Sequence, residues 1–313
     1  MIRMDARRRP RSDEMTKETQ AAIHQEVERY LRTGNHDTHY SALSGHSFLE
    51  RARVMDRAMR EALLAEVRRR EKCRPLPSGP GGVDVARLAR DKASPMVRGL
   101  FPAMERESIL RLLESSVVFL TCENIGDVLT RTMWHRTAWD LANLYLGSIG
   151  AKCLGAEASC LAGLSEEPTC YVSLAYFDEP NPFADFVVHE MAHVFHNWKR
   201  ERVGLSHTRY REWLLEIDFA KRETFASACE AYSRIQERAS GREECKRLLS
   251  EYTSDWALVA EGVEQDELAR IVSEAVLARN GWKRILRRCA PPSHGSRVLR
   301  SAGPGLRDHD LCL

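Results

Sequence analysis

Apolar residues spaced three and four apart recur along most of the chain and predict helices, whereas β-branched and aromatic runs are confined to two short stretches. Lys17 to Leu31 and Ser47 to Lys72 carry the helical pattern, rich in Ala, Leu, Glu and Arg, with a polar link from Thr33 to Tyr40 between them. Arg74 to Gly82, RPLPSGPGG, cannot continue a helix and marks the clearest boundary in the sequence. A short helical stretch follows, then Ser116 to Thr121, SVVFLT, which reads as a buried strand. Met133 to Ile149 has the spacing of a core helix. Tyr171 to Phe177, YVSLAYF, lies between Pro168 and Asp178-Glu179-Pro180 and reads as a second strand. Asn181 and Pro182 are placed to cap and open the next helix. Glu212 to Arg234, Arg242 to Leu258 and Gln265 to Arg279 complete the helical patterns.

This order, helices, then strand, helix, strand, then helices, predicts an α+β fold that is mostly helical with a small mixed sheet. The expected division is a disordered basic tail over 1–15, an N-terminal helical region over 16–73, a linker over 74–82, a main domain over 83–289 and a disordered tail over 290–313.

Charge and cysteine usage narrow the function classes. The 313 residues carry 47 basic and 45 acidic side chains, a formal charge of +2, so no global field calls for nucleic acid or an anionic membrane. Arg7 to Arg11 and Arg68-Arg69-Arg70 are the local exceptions, with no nucleic-acid-binding motif beside them. No window is long and apolar enough to predict a membrane span, and the first thirty residues lack the apolar core of a signal peptide. Nine scattered cysteines without a C-x-x-C pair read as reduced thiols, and the expected location is the cytoplasm.

The chemistry concentrates in FVVHEMAHVFHNWKR, Phe186 to Arg200. On a helix, His189 and His193 share one face about 6 Å apart and can present both imidazoles to one cation. Glu190 lies about 100° around the helix, where it reaches a water on that cation without becoming a ligand. Eight apolar neighbours, from Phe183 to Phe195, predict a buried helix, and buried His and Glu need partners. His196 is about 10.5 Å along the axis from His189, too far to share its metal, and is expected to be a supporting or structural residue. A third protein ligand is therefore needed. Glu223 in KRETFASACEAY has Phe219, Ala220, Ala226 and Ser227 as helical neighbours, which suits a close helix contact at a shared ion. Glu216, Glu223 and Glu230 recur every seven residues and are read as one face of that helix. Glu230 and Asp185 are candidates for orienting a ligand histidine.

HEMAH followed about thirty residues later by a helical Glu-x-Phe-Ala resembles the gluzincin class of zinc metallopeptidases, and specifically the catalytic region of the anthrax lethal factor-like family. The resemblance covers roughly residues 116 to 236 and is specific at these two motifs. It implies a zincin-like catalytic domain, with His189, His193 and Glu223 as zinc ligands and Glu190 as general base. The implied activity is hydrolysis of peptide bonds in a peptide or protein substrate. A tyrosine seven residues before the third ligand assists in that family; Glu216 stands there here, so Tyr210, or else His207, on the link SHTRYRE is the candidate for stabilising the oxyanion. The strand before the motif helix is expected either to pair with an extended peptide or to be an internal strand. Three alternatives remain open at this point. They are a non-catalytic helical regulatory or scaffold protein with a structural metal or a degenerate motif, a nucleic-acid-associated helical protein, and a secreted effector peptidase.

Overall fold

The computed structural model describes residues 17–41, 43, 47–72, 81–155, 162–208, 211–256 and 262–292. The expected tail over 1–15, all of the expected 290–313 tail beyond residue 292, and most of the 74–82 linker lie outside the described residues, as does Tyr210. Eleven α-helices and a three-stranded mixed sheet make up the fold among the described residues, which is α+β and mostly helical.

The N-terminal patterns form α1 (Lys17–Thr33) and α2 (Phe48–Glu71). Ser47 and Glu50 close a capping box at the start of α2, each side chain meeting the other's backbone amide. Beyond the linker, two helices replace the expected short stretch: α3 (Val85–Leu100) and α4 (Ala103–Glu114). They are separated by Phe101 and Pro102, because the residue before proline is driven out of helical geometry. Strand β1 (Val117–Phe119) follows, then α5 (Ile125–Arg131), which the sequence pattern did not reveal, and the expected core helix as α6 (His135–Ser148).

Strand β2 (Gly163–Glu166) pairs antiparallel with β3 (Thr169–Val172), which pairs parallel with β1 on its other side, giving the order β1-β3-β2. The expected strand over Tyr171–Phe177 is therefore corrected. It ends at Val172, where Ser173 accepts the Ala175 amide and turns the chain into one turn of 3₁₀-helix, Leu174–Asp178. Tyr176 and Phe177 then pack on Phe119 instead of alternating across the sheet. With both edges of β3 occupied, it is the internal strand, and among the described residues β1 and β2 are the two edge strands.

The motif helix is α7 (Phe186–Asn197). Its cap is Asp185, whose carboxylate accepts the Val188 amide at 3.2 Å, and not Asn181, whose side chain closes a local turn onto the Phe183 amide at 2.9 Å. The long pattern from Glu212 resolves into an extended return and then α8 (Arg222–Arg238). Leu214 and Leu215 donate to the carbonyls of Trp198 and Phe195, so this part of the chain is spent on pairing with the end of α7 and cannot be helical. Helices α9 (Arg242–Glu251), α10 (Gln265–Leu277) and α11 (Gly281–Cys289) close the fold.

Two hydrophobic clusters fill the interior. One joins α1, α2, α5 and α6, so packing links the N-terminal helices to residues well past the linker. The other surrounds α7 and α8 with α3, α4, the sheet and the C-terminal helices. Alternation along β2 divides its residues between them: Leu164 packs on the first cluster, while Gly163 and Ser165 meet Glu190 on α7. No helix among the described residues is long and apolar enough to cross a membrane.

Candidate metal centre

Helices α7 and α8 meet through apolar and small side chains. Val187, Val188, Met191, Ala192, Val194 and Phe195 on α7 are fully buried, as are Phe225, Ala226, Ala228, Cys229 and Ala231 on α8. The alanines let the two backbones approach, and this brings the polar stripe of one helix against that of the other.

There the Nε2 atoms of His189 and His193 each lie 3.6 Å from the same oxygen, Oε2 of Glu223. One ligand atom from each of the three residues falls within 4.8 Å of the others, a grouping that can hold a metal ion. At 3.6 Å neither His–Glu contact is a sound hydrogen bond. The spacing is close to the roughly 3.3 Å edge of a tetrahedron whose metal–ligand bonds are ~2.0–2.1 Å. The donor set thus fits a cation better than it fits its own members.

Behind the ligand atoms, each imidazole is held from its second nitrogen. His189 Nδ1 is 3.0 Å from Oε2 of Glu230, whose other oxygen accepts the Asp185 amide at 2.7 Å. The Lys92 ammonium on α3 reaches Asp185 and Glu237, each at 2.8 Å, tying the start of α7 to α8. His193 Nδ1 is 3.3 Å from Nε2 of His196. Such contacts fix which ring nitrogen is free for a metal.

Electrostatics at the cluster favour positive charge. His189, with His193 adding to it, holds the Glu223 carboxyl far below the usual carboxylate range. Burial opposes a charge on His189, but Glu223 and Glu230 outweigh it and raise its pKa well above the ordinary imidazole value. Burial, followed by the neighbouring His193 and Arg222, pushes His196 down to about 3, so this imidazole is neutral.

Glu190 stands apart from this three-residue cluster. It is 6% exposed, and its Oε2 accepts a hydrogen bond from the Ser165 hydroxyl at 2.8 Å. A Cβ built at Gly163 would lie 2.6 Å from the other carboxylate oxygen, so only glycine lets β2 come this close. Burial raises the Glu190 pKa against the opposing pull of His189, His193 and Ser165. A carboxylate so shifted is a better proton acceptor than an exposed one.

Glu223, Glu190, His189 and His193, separated by up to 34 positions in sequence, come together in space, and Glu230 and Asp185 flank them. Glu216 does not lie on the α8 face, because α8 begins only at Arg222; its carboxylate accepts the amides of Glu212 and Trp213 at 2.9 and 3.2 Å. His207 is exposed beside Glu201 at 3.9 Å. Ser165, Gly163 and Lys92 went unnoticed in the sequence, where nothing local marks a serine or a glycine on a four-residue strand as a contact of Glu190. No protein-family model, curated protein or solved structure matches the chain. The resemblance to gluzincins therefore rests on the two sequence motifs alone.

Proposed function

We propose that this chain is a zinc-dependent metallopeptidase of gluzincin type, with His189, His193 and Glu223 as metal ligands and Glu190 as general base. The observation that carries the reading is the convergence of both histidines on one Glu223 oxygen while Glu190 is held off the ligand set by Ser165 and Gly163. A bound zinc ion supplies Lewis acidity and lowers the pKa of a water toward neutrality. Glu190 accepts the proton of the attacking water at its carboxylate and passes it to the leaving amine. Ser165 keeps that carboxylate in one rotamer, and Glu230 holds His189 in the tautomer that leaves Nε2 free.

Zinc is preferred to harder cations because two imidazoles and one carboxylate form its common catalytic donor set. The Glu223 side chain is 50% exposed, which leaves the cluster open on that side, as a catalytic site requires and a closed structural site does not. The substrate is a peptide or protein, with the outer edge of β2, unpaired among the described residues, available to an extended segment. Cytoplasmic residence is consistent with Cys122, Cys170, Cys229, Cys245 and Cys289, which are free thiols. A second reading, a helical scaffold with a structural metal or a degenerate motif, is favoured by one observation: the position at which the resembled family carries an assisting tyrosine holds Glu216, already committed to backbone amides.

The full chain reconstituted with zinc is expected to cleave members of a mixed peptide library, with products read by mass spectrometry. Cleavage should stop with 1,10-phenanthroline and return when zinc is restored. An intact library after reconstitution, or cleavage indifferent to the chelator, would overturn the assignment.

A further inference from the structure

The two candidate ligand histidines are supported differently. Behind His189 stands a carboxylate, which can only accept a hydrogen bond; behind His193 stands a second imidazole, which can accept or donate. His196 follows His193 by three positions on α7, one turn further along the same face. It is 3% exposed, its ring is nearly perpendicular to that of His193 with centroids 5.2 Å apart, and its Nε2 points at His193 Nδ1. Its own Nδ1 is buried with no hydrogen-bond partner, among the few such atoms in the described residues. Buried polar groups are normally paired, and His193 Nδ1 is the partner that the buried His196 ring has, through Nε2 alone.

A ligand that binds metal through Nε2 is neutral and carries its proton on Nδ1. His193 in that state donates to His196 Nε2, which places the proton of His196 on Nδ1. The direction of the hydrogen bond is then coupled to occupancy of the site, since the opposite direction would need His193 to carry its proton on the atom facing Glu223. We propose that His196 is the positioning residue for His193, an imidazole acceptor that holds the ligand ring in its metal-binding tautomer and orientation. This inference rests on the metal-site reading above and extends it to a residue too far along the helix to touch the ion itself.

The test is zinc affinity, measured by competition with a chelating dye, for the parent chain, His196→Phe and His196→Gln. Phenylalanine keeps the ring volume but removes the acceptor, and the expected loss is about 10- to 100-fold. Glutamine places an amide oxygen near the position of Nε2, and its affinity should stay within roughly threefold of the parent on the same scale. Equal affinity of His196→Phe and the parent, with both folded by circular dichroism, would overturn the proposal, as would an equal loss in both variants. Should the phenylalanine variant fail to fold, long-range ¹H–¹⁵N spectra of the histidine-labelled parent decide the matter. Zinc-loaded protein should show His193 and His196 both protonated at Nδ1, and an Nε2-protonated His196 would refute it. A parent chain that binds no zinc would remove this inference together with the metal-site reading, whereas a zinc-binding parent indifferent to His196 removes this inference alone.

Discussion

Glu190→Gln is expected to reduce peptide-bond cleavage by roughly 10²- to 10⁴-fold, the usual contribution of a general base. Metal content should be unchanged. The substitution is close to isosteric, and the amide oxygen can still accept the Ser165 hydroxyl now 2.8 Å from the carboxylate. Gly163 leaves room for either group, and no ligand atom is altered. What is lost is the ability to take a proton. The measurement is kcat/KM on a peptide that the parent cleaves, beside metal analysis of both proteins. Retention of activity would mean that another group acts as the base, and loss of metal would mean that Glu190 belongs to the ligand set.

Arg200→Ala is expected to destabilise the fold by about 3–5 kcal/mol, the cost of leaving one partner of a buried ion pair behind. Arg200 is 2% exposed, just beyond α7, and its guanidinium meets Glu105 of α4 at 2.5 Å and the Ser206 carbonyl at 2.8 Å. It anchors the chain where it leaves the motif helix, and its backbone amide donates to the Glu212 carbonyl on the way back toward α8. In thermal unfolding the loss corresponds to a fall in Tm on the order of 10 °C for a domain of this size. Removing both charges with Arg200→Met and Glu105→Gln together should recover much of the loss, since the destabilising element is the uncompensated charge. A single-variant shift near zero would show that the pair contributes nothing net.

The helix bearing HEMAH was legible because its apolar surroundings and the four-residue histidine spacing are both local signals. Glu223 was legible for a related reason, as Ala226 and Ser227 one turn away announce a close helix contact, and both are buried where α8 carries Glu223. The seven-residue recurrence of Glu216 was misleading. Periodicity in sequence cannot reveal that Leu214 and Leu215 are spent on hydrogen bonds to α7, which delays the start of α8 to Arg222. Strand β2, Gly-Leu-Ser-Glu, has no β-branched residue and exists because β3 offers it a paired edge. The aromatic run at Tyr171–Phe177 promised a longer strand than Ser173 permits. Asp185 displaced Asn181 as the cap of α7, and its partner Lys92 is on a helix distant in sequence. Long-range partners of this kind account for what the sequence did not disclose, including Ser165 against Glu190.

The most direct test of the account is the metal content of the purified chain by inductively coupled plasma mass spectrometry, beside His193→Ala and Glu223→Ala. His193 and Glu223 approach each other at 3.6 Å within one three-residue grouping, so each substitution removes one member of the same set. The predicted result is about one zinc per parent chain and little in either variant, the stoichiometry of a single three-ligand site. A parent chain that stays metal-free after incubation with zinc, or variants that retain as much as the parent, would contradict it and reduce HEMAH to a polar stripe on a core helix.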